Sequence, residues 1–379
     1  MTEHIEPTEP AHAAAFGASA PACRTAPPAA ASSDPDVAAV SVGPTLPESA
    51  AARPDLPLLA IPCVFEDMVA PLKAALPMLD GIARVRMFED YTLDEDTFVE
   101  RAQGAEAVIV IGVHISDDML RRLAKTVRCL AFGGTGVASY VNFDLARELG
   151  VRICNVRHYG DAAVAEFTFA LILELARRVG DLDRELRAGD WDGVSSVELA
   201  GKTLAIVGFG GIGQTVARIA RGFGMDVTVW DSGRGPRERY TEHDVTPIAD
   251  MKALFAGADV VSIHMPLVDG TRGMIGDAEL DALRPGTMFV NTARAEIIAP
   301  GALVRRLERG DVPAALDVYY QEPLPTDSPL LAIDGLVLTP HVAWRSDGAN
   351  RNLTRQCVED ITAYFTGGKK NVVVDPEAA

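Results

Sequence analysis

Paired cysteines, an excess of basic residues and long uncharged apolar runs are all missing from this chain. Its five cysteines, Cys23, Cys63, Cys129, Cys154 and Cys357, are odd in number and scattered, with no CxxC pair. They give neither a disulfide framework nor a zinc site, so no metal is expected. They read as free thiols in a reducing compartment, here the cytoplasm. Lysine and arginine number 35 against 53 acidic residues, a formal net charge of −18. So acidic a chain repels phosphates, which argues against nucleic acid as a partner. No uncharged apolar run reaches the ~18 residues that crossing a membrane requires, so no membrane span is expected.

What is present suffices for two ordinary cores: 379 residues, 48% of them hydrophobic, against a soft figure of ~150 residues per domain. Residues 1–56 stand apart. They are rich in Ala and Pro, poor in aromatics, and begin on the acidic Met1-Thr-Glu-His-Ile-Glu. Such a segment cannot bury enough apolar surface to offset its ordering entropy, and it has no signal-peptide core. It is expected to be a disordered tail.

The chain is organised around residues 203–231. An apolar run over 203–207 leads into Gly208-Phe-Gly210-Gly211-Ile212-Gly213. Apolar residues then recur at helical spacing through Ile212, Val216, Ile219, Ala220 and Phe223. A second apolar run, 227–230, ends on Asp231. Gly208 permits the tight turn, Gly210 lets a pyrophosphate approach the backbone, and Gly213 allows helix and strand to pack closely. The helix N-terminus faces the phosphates. Asp231 is placed to accept bonds from both ribose hydroxyls and to repel a 2′-phosphate. The reading is a Rossmann site for NAD, with Arg234 nearby as the one feature that favours NADP.

Short apolar runs at 58–64, 84–88, 107–112, 128–132 and 151–154 alternate with helical patterns at about 67–76, 95–102, 116–125 and 141–149. That alternation predicts an α/β domain with a parallel sheet. A glycine turn, Gly133-Gly134-Thr135-Gly136, follows its fourth strand, where such domains hold ligands and where N–H groups can cradle a carboxylate. Residues 161–179 form a helix apolar nearly all round, expected to pack between domains or between subunits of a homodimer. After Asp231, strands are expected at about 259–263, 287–290, 313–317 and 336–338, with helices at about 250–256, 277–283 and 300–308. A final helix over about 342–366 returns to the first domain.

Four residues capable of chemistry follow the strands of the second half: Arg294, Asp317, Glu322 and His341. A cation to bind a carboxylate and polarise a carbonyl, a histidine to supply a proton, and a carboxylate to hold that histidine in its protonated form are what hydride transfer to a 2-oxo acid needs.

From about Leu58 to Val373 the sequence resembles the NAD(P)-dependent D-isomer-specific 2-hydroxyacid dehydrogenases. The resemblance is carried by Leu199-Ala-Gly-Lys-Thr-Leu, the glycine motif, Val261-Ser-Ile-His264-Met-Pro266-Leu with Thr271, Asn291-Thr292-Ala-Arg294, Leu316-Asp317-Val with Glu322-Pro323-Leu-Pro, and Thr339-Pro-His341-Val-Ala-Trp344. It implies two doubly wound parallel-sheet domains: a smaller flavodoxin-like substrate domain, 57–156 and 341–379, and a Rossmann NAD domain, 157–340. By resemblance, Arg294 binds substrate, His341 exchanges the proton and Glu322 is its carboxylate partner. Asp317 meets the nicotinamide carboxamide. Gly211, Ile212, Pro266, Thr271 and Thr292 line the cofactor groove, and Thr135 and Gly136 meet the substrate carboxylate. The partner is then a small 2-hydroxy or 2-oxo acid. Three departures sit beside the substrate: Ala295 after the arginine, Ala299-Pro300 in place of an acidic pair, and the 136–142 segment. Glu322 stands where formate dehydrogenases carry glutamine, which argues against formate. The alternative reading, from another class, is an NAD(H)-sensing corepressor of the C-terminal-binding-protein type without turnover.

Overall fold

The computed structural model describes residues 53–233 and 236–377. Most of the expected tail, residues 1–52, and Arg234 therefore lie outside the described residues.

The first half alternates strands and helices: β1 (Leu58–Ile61), α1 (Glu66–Ala75), β2 (Arg84–Met87), α2 (Glu95–Arg101), β3 (Ala107–Val110), α3 (Asp117–Leu123), β4 (Cys129–Phe132), α4 (Phe143–Glu148) and β5 (Arg152–Asn155). These strands lie in the order β2-β1-β3-β4-β5, all parallel. β1, β3, β4 and β5 are buried along their whole length, which is why they read as continuous apolar runs. The helices start where short polar side chains accept the first free N–H groups: Asp94 from Thr97, Ser116 from Met119, Asn142 from Leu145.

Next come α5 (Asp161–Arg177), α6 (Val179–Arg187), β6 (Thr203–Val207), α7 (Gly211–Gly222), β7 (Asp226–Trp230), α8 (Glu238–Glu242), β8 (Thr246–Ile248), α9 (Met251–Gly257), β9 (Val260–Ile263), α10 (Asp277–Leu280), β10 (Met288–Asn291), α11 (Ala302–Leu307), β11 (Ala314–Leu316) and β12 (Leu336–Leu338). The seven strands form a second parallel sheet, β8-β7-β6-β9-β10-β11-β12. The reversal of strand order between β6 and β9 opens a crevice at their carboxyl ends, where such sheets hold nucleotides. The two doubly wound sheets are those expected.

Three details differ from expectation. The 161–179 helix breaks at Arg178, which adopts φ 53°. The Glu174 carboxylate holds the break by accepting the Gly180 N–H at 3.1 Å. The helix's apolarity is satisfied within the chain, since Ala165, Phe169, Ile172 and Ala176 join Val216, Ala217 and Ala220 of α7 in one core. Finally, the first sheet is not wholly parallel. α12 (Asp347–Phe365) returns across it, burying Leu353, Cys357, Val358 and Ile361 against Met68 and Leu72. β13 (Val372–Val374) then adds an antiparallel edge beside β5.

The chain crosses between the sheets twice, side by side. The outgoing segment is tied to α12 by Gln356, which accepts from the Arg157 N–H at 3.1 Å and donates to the Arg157 carbonyl at 3.0 Å.

Candidate active site

The glycine turn fits a dinucleotide. Gly208 has φ 107°, and a Cβ there would stand 2.5 Å from the His264 carbonyl oxygen. At Gly213 a Cβ would collide with the Gly208 carbonyl oxygen. Around Gly210, in contrast, nothing lies within 4 Å of where a Cβ would be, so this face is open to a phosphate. The turn delivers α7, whose first N–H groups have no partners within the helix. Beside it, burial pushes the His264 imidazole down to about 3, so it is neutral. Its Nε2 pairs with Ser262 Oγ at 2.7 Å, while the buried Nδ1 has no partner.

Asp231 sits just past β7. Its Oδ1 accepts from the Gly233 N–H at 3.0 Å and the Tyr240 hydroxyl at 2.9 Å, and Arg237 lies 3.5 Å from Oδ2. The Gly233 and Tyr240 bonds hold its carboxyl below the usual range. Tyr240, which sequence reasoning missed, is buried in α8. Thr271 Oγ1 donates to the Pro266 carbonyl at 2.7 Å and accepts from the Val268 N–H at 2.9 Å, which pins the turn after β9. Thr292 Oγ1 meets Thr168 Oγ1 at 3.0 Å.

Ile212, Thr292, Arg294, Asp317, His341, Thr135 and Gly136 line one cavity of about 180 Å³ between the carboxyl ends of the two sheets. Gly208, Gly210, Gly211, Gly213, Asp231, Pro266 and Thr271 are not among its lining residues, and Glu322 stands behind His341.

His341 Nδ1 and Glu322 Oε2 are 2.6 Å apart, and Glu322 Oε1 accepts from the Tyr319 N–H at 2.9 Å. Burial works to raise the Glu322 carboxyl. The hydrogen bond and charge of His341, the Tyr319 N–H and the Arg294 charge outweigh it and bring the group below its ordinary value. Glu322 is therefore ionised at neutral pH. With Nδ1 fixed, His341 presents Nε2 for proton exchange. The residue has φ 53°, an uncommon conformation for a non-glycine. Asp317 holds that turn in place, accepting from Thr339 Oγ1 at 2.6 Å, the Val342 N–H at 3.0 Å and the Ala343 N–H at 2.9 Å. Burial is the main cause of its raised pKa.

Arg294 follows β10. Its Nη1 donates to the Ala293 carbonyl at 2.7 Å, and its Nη2 would lie 2.9 Å from a Cβ on Gly136. Guanidinium and glycine turn thus meet across the cleft. The turn is stapled by Asn155, which donates to the Thr135 carbonyl at 3.0 Å, and by Thr135 Oγ1, which donates to the Val156 carbonyl at 3.1 Å. Sequence reasoning also missed the pair His158–Asp161, 2.8 Å apart and packed against Gly211. No spacing signal marks it.

Comparison with known proteins shows what the chain is similar to. The family profile described as D-isomer specific 2-hydroxyacid dehydrogenase, NAD binding domain, matches residues 169–343. A glyoxylate reductase of Aeropyrum pernix is 33% identical over 77% of this chain and 90% of its own length. A glycerate dehydrogenase of Methylorubrum extorquens is 31% identical over 74% of this chain and 90% of its own. The apo structure of D-lactate dehydrogenase from Escherichia coli superposes with TM-score 0.74 at 26% identity, covering 84% of this chain and all (100%) of that one.

Proposed function

The chain belongs to the D-isomer-specific 2-hydroxyacid dehydrogenases, NAD-dependent oxidoreductases, and from that premise we propose that it interconverts a small D-2-hydroxy acid and its 2-oxo acid. The observation that carries this reading is the convergence of Arg294, the His341–Glu322 pair and the Thr135–Gly136 backbone on one cavity. Bound NADH supplies the hydride. Arg294 binds the substrate carboxylate and polarises its carbonyl, with the Thr135 and Gly136 backbone opposite. His341 Nε2 gives a proton to the carbonyl oxygen in reduction and takes it back in oxidation. Ionised Glu322 keeps the imidazole oriented, with Nε2 turned to the substrate. Asp317 fixes the His341 turn and would meet the nicotinamide carboxamide of bound cofactor.

In this reading the substrate-binding portion comprises 57–156 and 341–379, and the nucleotide portion 157–340. Gly208, Gly210, Gly211, Ile212 and Gly213 receive the pyrophosphate, Asp231 the adenosine ribose, and Pro266, Thr271 and Thr292 the rest of the cofactor groove. A homodimer is supported by the exposed apolar side chains of α6 and the segment after it: Val179 is 62% and Trp191 88% exposed, beside Leu186, Val194 and Val197. Light scattering tests this, and a monomer at micromolar concentration refutes it. No helix among the described residues is long and apolar enough to cross a membrane, and Cys63, Cys129, Cys154 and Cys357 are free. The free thiols support a cytoplasmic location.

The deciding experiment is NADH oxidation with a panel of 2-oxo acids. Turnover with at least one supports the proposal. NADH binding without turnover on any refutes it and returns the corepressor reading.

A further inference from the structure

Beyond Arg294 and His341, the rest of the cleft has to receive the substrate's side chain. Its walls there are Ile111, Phe132, Tyr140, Tyr159, Val164 and Trp344. All six are uncharged and four are aromatic. The Phe132 and Tyr140 rings pack at 4.8 Å between centroids, and Tyr159 and Trp344 meet edge to face at 6.4 Å. The glycine turn is moulded around the first pair: a Cβ on Gly134 would stand 2.6 Å from the Phe132 ring. The polar tips on the other side are occupied or held neutral. Trp344 Nε1 donates to the His341 carbonyl at 3.1 Å. Burial pushes the Tyr159 phenol up to about 12.

Charge in the cleft is one-sided. Among the described lining residues the only bases are Arg294 and His341, and both have roles at the reacting end. Arg345, next in the chain to Trp344, is committed elsewhere. Its Nε and Nη2 donate to the two Asp67 oxygens, each at 2.8 Å, and its guanidinium lies 5.0 Å over the Phe65 ring. The other charge-bearing side chains on the lining are two acids, Asp161 and Asp317. A second carboxylate or a phosphate on the substrate meets no further cation on this lining. A buried charge without a partner is strongly disfavoured.

We infer that this cleft selects a mono-anionic 2-oxo acid with an uncharged, apolar side chain, held between the Phe132–Tyr140 and Tyr159–Trp344 pairs, and rejects acids that carry a second anionic group. The inference rests on the reading of Arg294 as the partner of the substrate's own carboxylate.

The test is steady-state kinetics of the full-length enzyme with NADH. One set of substrates is 2-oxobutanoate, 4-methyl-2-oxopentanoate and phenylpyruvate. The comparison set is glyoxylate, oxaloacetate, 2-oxoglutarate and 3-phosphohydroxypyruvate. The best apolar acid is expected to exceed every dianionic acid by about 100-fold or more in kcat/KM, because a site cannot accommodate a charge it was not built to pair. Its KM is expected about tenfold below that of glyoxylate, which has no side chain to bury. Tyr140→Lys, checked for unchanged NADH binding, is expected to narrow the gap to oxaloacetate at least tenfold. A dianionic acid within about tenfold of the best apolar one overturns the inference, as does a glyoxylate KM equal to or below the apolar acids'. Failure to turn over any acid instead sinks the proposed function itself, so the two failures are told apart.

Discussion

Replacing Asp360 by asparagine should stabilise the protein, and by more at high pH than at low. Asp360 lies on the face of α12 that meets the first sheet and is 1% exposed. Its Oδ1 accepts from Asn371 Nδ2 at 2.9 Å, while Oδ2 is buried without a partner. Burial is the largest influence and pushes the carboxyl from 3.8 to about 7, against the smaller pull of Asn371, Lys370 and Arg157. The sign follows from linkage. Between those two values the folded chain holds a proton that the unfolded chain has released, so stability falls as pH rises through this window and levels off above it. About three pKa units at ~1.4 kcal/mol each set an upper bound of about 4 kcal/mol above pH 7, of which about 2–3 kcal/mol is lost between pH 5 and 8. Asparagine keeps an oxygen for Asn371 and removes the titration. Urea denaturation midpoints of wild type and Asp360→Asn at pH 5, 6, 7 and 8 measure the difference. The variant's advantage should be about 1–2 kcal/mol at pH 5 and widen by about 2–3 kcal/mol by pH 8. A constant difference across that range, or a variant less stable at pH 8, refutes the account of Asp360 as a buried, under-paired acid.

Glu322→Gln should leave the NADH Kd unchanged but lower kcat/KM for reduction about 10- to 100-fold at neutral pH. An unchanged kcat/KM removes Glu322 from the mechanism. Tyr240→Phe deletes the hydroxyl that orients Asp231 and should weaken NADH binding about 2- to 10-fold with less effect on NADPH. Equal effects on both, by fluorescence titration, make Tyr240 a packing residue only. Gly211→Ala drives a methyl group into the Asp161 carboxylate, so NADH affinity should drop, and Asp161→Ala in the same chain should restore it. Double-mutant additivity contradicts that contact. Removing residues 1–52 should leave turnover nearly unchanged. A large loss on truncation contradicts the reading of an Ala/Pro-rich segment unable to join a core.

The sheets were legible because their strands are buried on both faces and their helices follow at regular spacing. β6, the glycine turn, α7 and β7 were readable almost to the residue, since each constraint there is local: a turn, a close approach, a helix face. The candidate trio Arg294, Glu322 and His341 was singled out by residue type and by resemblance, although Glu322 and His341 come within 2.6 Å only through the fold. What escaped depends on contacts across the sequence. β8 is three residues long and only partly buried, so it leaves no apolar run. β13 reads as a terminal valine cluster until β5 is seen beside it. The break at Arg178 is made by Glu174, four residues earlier, where composition suggests only more helix. Phe132, Tyr140, Tyr159 and Trp344 come from four separate segments, so the aromatic wall has no motif. Asp317 was expected at the nicotinamide. Its three bonds show that it anchors the turn that presents His341.

The double crossing between the sheets has a topological consequence. The whole seven-stranded sheet is spliced into a loop of the other, entering after β5 and leaving before α12, with entrance and exit clasped by Gln356. A module attached by two adjacent strands of chain behaves like a cassette. It can be exchanged for a relative's cassette by joining two ends that already lie together, with no new path for the backbone. Tyr159 and Trp344 sit on those two junctions. A graft that preserves both would leave this wall of the candidate cleft as it is.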